Sequence, residues 1–104
     1  MLRAVDFRAL ARAWALDPEV LFLDEPTASL DPKATRAVED IVRAIHARGT
    51  TIVMATHNLA QAKRLADDVV FLQEGRQVEQ SRAREFFVSP RTEEAASFLE
   101  GERL

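Results

Sequence analysis

Two short apolar runs, VLFL at residues 20–23 and TIVMA at residues 51–55, constrain the fold of this chain more than any other feature. Each is continuous rather than alternating and is bounded by polar or turn-forming residues, which is how a strand covered on both faces reads. Between them, Asp31 as N-cap and Pro32 at the first helical position open a helix with the apolar stripe Ala34, Val38, Ile41, Val42 and Ile45, and Gly49 closes it. Strand, helix, strand in this order predicts a parallel pair joined by a crossover. Both strands then end on one edge, and in open α/β sheets the ligand crevice lies outside the carboxyl ends of the strands. That edge receives Asp24-Glu25 after the first run and Thr56-His57 after the second. Adjacent carboxylates are costly to bury, so their place at the end of the most apolar segment is best explained by a crevice that holds a metal or a phosphate.

The remaining pattern alternates in the same way. Phe7, Leu10, Ala11 and Trp14 recur at helical spacing over residues 7–16, and Asp17-Pro18 ends that helix. A shorter helix is predicted from Leu59 to Leu65. A hairpin is predicted from Val69 to Leu72 and Gln77 to Glu79 around a Glu74-Gly75 turn, followed by helical segments at Ala83 to Phe87 and Glu93 to Leu99. Trp14 and Phe22 read as core residues, His46 as solvent-facing, and Arg84 to Phe87 as a segment that packs on the hairpin.

Composition narrows the function. With 104 residues and 47% hydrophobic content, the chain suits one small globular domain. Fourteen basic against seventeen acidic residues leave a net charge of -3, which offers no electrostatic footprint for nucleic acid. The absence of cysteine removes disulfides, thiolate metal sites and thiol nucleophiles together. No apolar run is long enough to span a bilayer, and MLRAVDFRALARAW lacks the apolar core of a signal peptide. A cytoplasmic chain able to dock on a membrane protein is the expectation.

The segment LFLDEPTASLD, followed at residues 55–57 by ATH, strongly resembles the nucleotide-binding subunit of ATP-binding-cassette (ABC) transporters. ALARAWALDPEV resembles the helix and turn after the family's signature loop, and FLQEGRQVEQ with FFVSPRTEEAASFL resembles the C-terminal hairpin and tail of its bacterial importers. The resemblance spans about residues 9–99 and implies an α/β fold: a partial P-loop NTPase-type parallel sheet with flanking helices, a C-terminal β-hairpin and a helical tail. By likeness, Asp24 ends the Walker B strand and holds the magnesium of Mg-ATP through water, and Glu25 is the general base that polarises the attacking water. His57 matches the switch histidine near the γ-phosphate. Ser29 and Asp31 belong to the D-loop, which reaches a second nucleotide-binding subunit; a membrane-spanning permease is the family's other partner.

The sequence also departs from the family. It contains no G-x-x-x-x-G-K-[ST] run, and its three glycines are Gly49, Gly75 and Gly101. No glutamine loop is present, and Met1, Leu2 and Arg3 fall where a Ser-Gly-Gly signature belongs. The chain is therefore expected to be the C-terminal half of a subunit, a single domain over residues 1–104 that binds ATP weakly and is inactive alone. It is also expected to self-associate through an exposed sheet edge, because the strands that flank it in the family are missing. The leading reading is an ATP-hydrolysing importer subunit; the alternative is a non-catalytic module that pairs with another ABC subunit or a transporter. Chromosome-maintenance and repair ATPases share similar motifs, but the acidic balance and the lack of heptads argue against them. Details of the tail are closest to importers of oxyanions such as tungstate, molybdate or phosphate, with polar amino acid importers next.

Overall fold

In the computed structural model, residues 15–16 and 18–102 are described. Residues 15 and 16 are helical, whereas Phe7, Leu10, Ala11, Trp14 and Asp17 lie outside the described residues. The chain forms two compact units, residues 1–58 and 59–104.

The first unit is a strand, helix, strand arrangement. Strand β1 (Val20–Asp24) pairs in parallel with β2 (Thr51–Ala55), in the register Val20 to Thr51 through Asp24 to Ala55. Helix α1 (Pro32–Ala47) connects them. Asp31 caps it as the sequence predicts: its Oδ1 accepts the Ala34 N–H at 2.7 Å, satisfying one of the orphan donors of the first turn. At the other end the chain leaves through Gly49 at φ 104°, a left-handed conformation that glycine adopts without Cβ strain. The predicted stripe is the buried one. Val38, Val42 and Ile45 form a core with Leu21 and Leu23, and Leu30, Ile41, Ile52 and Met54 pack against it. The entry to β2 is fixed by the buried Thr50, whose hydroxyl donates to the Pro18 carbonyl at 2.7 Å.

One expectation fails here. Among the described residues the strands are covered on one face, not two: Leu21 and Leu23 are buried, while Val20, Phe22, Thr51, Val53 and Ala55 on the other face are exposed. Phe22, read from the sequence as core, is 66% exposed. Successive strand residues point to opposite faces, so α1 can bury only the odd-numbered set of β1. His46 is exposed as expected, with its Nδ1 3.1 Å from the Thr50 carbonyl oxygen.

The second unit begins with helix α2 (Leu59–Leu65) and continues into the antiparallel hairpin of β3 (Asp68–Gln73) and β4 (Arg76–Arg82). Its two-residue turn places Glu74 at φ 52° and Gly75 at φ 75°, the pair of positive angles that a type I′ connection requires. Helices α3 (Ala83–Val88) and α4 (Glu93–Glu102) follow. Phe71, Phe86, Ala95 and Leu99 form the core of this unit. The Phe71 ring lies 5.9 Å from that of Phe86 and 5.0 Å from that of Phe98, so the Arg84 to Phe87 segment does pack on the hairpin.

A buried carboxylate orders the approach to α4. Glu79 is 5% exposed and accepts from Ser81 Oγ at 2.6 Å, from Thr92 Oγ1 at 2.8 Å, and from the backbone N–H groups of Thr92 at 2.9 Å and Arg91 at 3.1 Å. Thr92 Oγ1 in turn accepts the Ala95 N–H at 3.2 Å, capping α4. The Arg91 guanidinium donates to the Gln80 carbonyl. Burial pushes the Glu79 carboxyl up, but these hydrogen bonds to its charged form outweigh it and hold the pKa at about 2.

Candidate functional site

The two strand ends meet at the edge the sequence singles out. Asp24 is the last residue of β1 and stands in register with Ala55, the last residue of β2. By strand alternation it lies on the same face as Val20 and Phe22, the exposed face of the sheet. Glu25 follows with its backbone N–H donating to the Ala55 carbonyl at 2.8 Å, which extends the parallel ladder by one bond. Glu25 also turns the chain, at φ 47°. A non-glycine residue in that region carries strain on the order of 1–3 kcal/mol, of the kind found where surrounding structure fixes a functional side chain.

The Glu25 carboxylate is held by the loop after β2. Its Oε1 accepts the His57 backbone N–H at 2.8 Å, and its Oε2 accepts from Thr56 Oγ1 at 3.5 Å. The His57 imidazole lies on the same carboxylate, with Nε2 3.6 Å from Oε1, and the ring is 97% exposed while the Glu25 side chain is 32% exposed. One residue therefore contributes two contacts: its main chain anchors the carboxylate, and its ring lies beside the same carboxylate while facing solvent. The two residues assigned by resemblance to water activation and to the γ-phosphate are thus neighbours, 32 positions apart in sequence.

Beyond Glu25 two consecutive turns carry the chain to α1. The Ala28 N–H donates to the Glu25 carbonyl and the Leu30 N–H to the Thr27 carbonyl, each at 3.2 Å. Pro26 and Thr27 are buried in these turns, while Ser29 is exposed at φ 71°. Asp31 is exposed and uses one carboxylate oxygen on its helix cap. Among the described residues, no hydrogen bond joins the side chains of Ser29 or Asp31 to Glu25 or His57. The site therefore has two parts: a clustered pair of strand ends, and a loop in which Ser29 and Asp31 are exposed.

No group of three or more His, Cys, Asp or Glu residues that could hold a metal ion occurs among the described residues. A carboxylate such as Asp24 could join a magnesium ion carried in on a nucleotide, since that ion keeps several waters and is bound through one or two carboxylates plus the substrate's phosphates. Thr56 is the residue that motif reading passed over. Its place beside His57 was legible, but its contact with Glu25 depends on the pairing of β1 with β2.

Comparison with known proteins identifies relatives for this arrangement. Residues 2–60 match the family model described as "AAA domain, putative AbiEii toxin, Type IV TA system". The chain is 47% identical over 90 residues to the phosphate import ATP-binding protein PstB of Mycobacterium intracellulare, covering 86% of this chain and 31% of the relative. It is 40% identical over 92 residues to the arginine transport ATP-binding protein ArtM of Bacillus subtilis, covering 88% of this chain and 38% of the relative. Among solved structures, cbiO1 of Clostridium perfringens, part of the ABC transporter complex cbiONQ, matches with a TM-score of 0.67 and 34% identity over 78% of this chain and 33% of that one. The chain thus spans 31% and 38% of the length of these two curated relatives.

Proposed function

We propose, from the fact that this chain belongs to the family of ABC transporter ATP-binding subunits with their AAA domain, that it supplies the Walker B and switch-histidine side of an importer's ATP site. The observation that carries this reading is the Glu25 carboxylate anchored by the His57 N–H at 2.8 Å, with the His57 ring exposed beside it. In this reading Glu25 accepts the proton of the attacking water, and its anchoring removes the freedom that a general base must otherwise lose in the transition state. Asp24 holds the magnesium of Mg-ATP, which neutralises phosphate charge when bound. The His57 ring donates a hydrogen bond toward the terminal phosphate, and Ser29 and Asp31 face a second nucleotide-binding subunit. The relatives' names favour transport of a phosphate-type oxyanion or a polar amino acid; the family resemblance adds a membrane-spanning permease as the second partner and a place at the cytoplasmic face of the membrane.

The 104-residue sequence carries no Gly-rich phosphate loop, so Asp24 and Glu25 have no backbone cradle or Lys to offset phosphate charge. Isothermal titration of Mg-ATP into this chain alone is therefore expected to give no saturable heat below about 1 mM, roughly 4 kcal/mol of binding free energy. Micromolar affinity would overturn that expectation. Hydrolysis that appears only when a phosphate-loop chain is added, and that depends on Glu25, supports the catalytic reading; pairing without hydrolysis supports the non-catalytic module instead.

The exposed Val20, Phe22 and Val53 support association through the open face of the β1–β2 sheet. Sedimentation velocity is expected to show a species larger than the monomer that Phe22→Ser shifts toward monomer. A monomer at high concentration would contradict it.

A further inference from the structure

We propose that Thr56 is a positioning residue for Glu25, acting through a hydroxyl that ties the carboxylate and the His57 N–H into one rigid turn; the catalytic consequence rests on the reading of Glu25 given above. The hydroxyl has one proton and two lone pairs. It lies 3.5 Å from Glu25 Oε2, a long contact, and it accepts the Asn58 N–H at 3.0 Å. That second bond closes a side-chain turn over residues 56–58, a local device by which threonine fixes the main chain next to it. The residue in the middle of the turn is His57, whose N–H makes the shortest contact to Glu25, 2.8 Å to Oε1.

The consequence is geometric. Each carboxylate oxygen of Glu25 faces a different donor of the same turn, Oε1 the His57 N–H at 2.8 Å and Oε2 the Thr56 hydroxyl at 3.5 Å, so the turn bears on the orientation of the carboxylate as well as its distance. The backbone supplies one donor, which no side-chain substitution removes directly; the hydroxyl both supplies the second donor and aims the first. Loss of the hydroxyl removes the side-chain acceptor that the Asn58 N–H meets at 3.0 Å and so loosens the turn that aims the His57 N–H. Because Glu25 is only half-buried, the surrounding core does not fix its rotamer. A general base misplaced by about 1 Å loses on the order of a hundredfold in rate.

The test begins with this chain itself. Thr56→Val keeps shape and β-branching but removes both hydrogen bonds, and Thr56→Ser restores them. In nuclear magnetic resonance spectra, the His57 amide proton is expected to lie downfield, as a donor to a carboxylate does. It should move upfield and exchange at least about tenfold faster in Thr56→Val and return in Thr56→Ser, with unchanged thermal unfolding separating this from a general loss of structure. A His57 amide that is the same in wild type and Thr56→Val overturns the proposal. With the ATP site completed by a phosphate-loop chain, Thr56→Val is expected to lower kcat at least about tenfold with KM within about twofold, and Thr56→Ser to recover it. Unchanged kcat in Thr56→Val beside a strong Glu25 dependence would also overturn it. Absence of any Glu25-dependent hydrolysis would sink the functional reading and leave the amide measurement to decide the role of Thr56.

Discussion

Replacing Glu25 with glutamine, with the ATP site completed by a chain that brings a Gly-rich phosphate loop, is expected to lower ATP turnover about a hundred- to ten-thousand-fold. Glutamine preserves the architecture and removes only the chemistry. Its amide oxygen can still accept the His57 N–H that now meets Oε1 at 2.8 Å, and its amide nitrogen can donate to Thr56 Oγ1. The turn and the strand ends should therefore keep their places, and the stability of the chain should change by no more than about 1 kcal/mol. What glutamine cannot do is accept a proton from water. Steady-state hydrolysis and thermal unfolding measured on the same preparations distinguish the two effects. Wild-type turnover in Glu25→Gln would remove this residue from the role of base.

The second large effect is on folding. Glu79→Ala strips the acceptor from four donors, the hydroxyls of Ser81 and Thr92 and the N–H groups of Arg91 and Thr92, and leaves buried donors unsatisfied beside a small cavity. Charged hydrogen bonds and orphaned buried donors of this kind cost on the order of 3 kcal/mol together, a large share of what a small domain has. The pH dependence has a definite sign. The folded pKa of Glu79 is lowered from 4.5 to about 2, so its contribution is complete above pH 4.5 and is lost as pH falls toward 2. Glu79→Gln, which cannot ionise, should remove that part of the acid dependence, so the difference in stability between wild type and variant shrinks from pH 5 to pH 2. A constant difference across that range would show that the carboxylate's charge does not contribute.

Both predictions bear on how function is distributed along the chain. Glu25 sits in a strained, half-exposed turn where the fold gains little from it, whereas Glu79 is buried where no ligand can reach it. A variant scan should therefore find one carboxylate whose loss is silent in stability and another whose loss is silent in chemistry once the protein is folded.

The local elements were legible because each has a local cause. Asp31 with Pro32 starts α1, Gly49 ends it, Glu74-Gly75 supplies a turn with two positive φ angles, and the apolar stripe of α1 is the buried stripe. The strand positions and the meeting of Asp24-Glu25 with Thr56-His57 on one edge also follow from sequence, since parallel strands joined by a crossover must end on the same side. Which face of those strands is buried was not legible. VLFL is apolar throughout and TIVMA nearly so, so the sequence carries no alternation to mark the side that α1 leaves open, the side on which Phe22 lies. Long-range partners were likewise decided in three dimensions: Thr56 comes near Glu25 because β1 and β2 pair in a particular register, and the buried Glu79 takes its donors from Arg91 and Thr92 in the loop before α4. Residue types and spacing set the elements and their ends, because turns, caps and periodicity act over a few residues; tertiary structure chose the contacts among them, because those depend on packing between segments far apart in the chain.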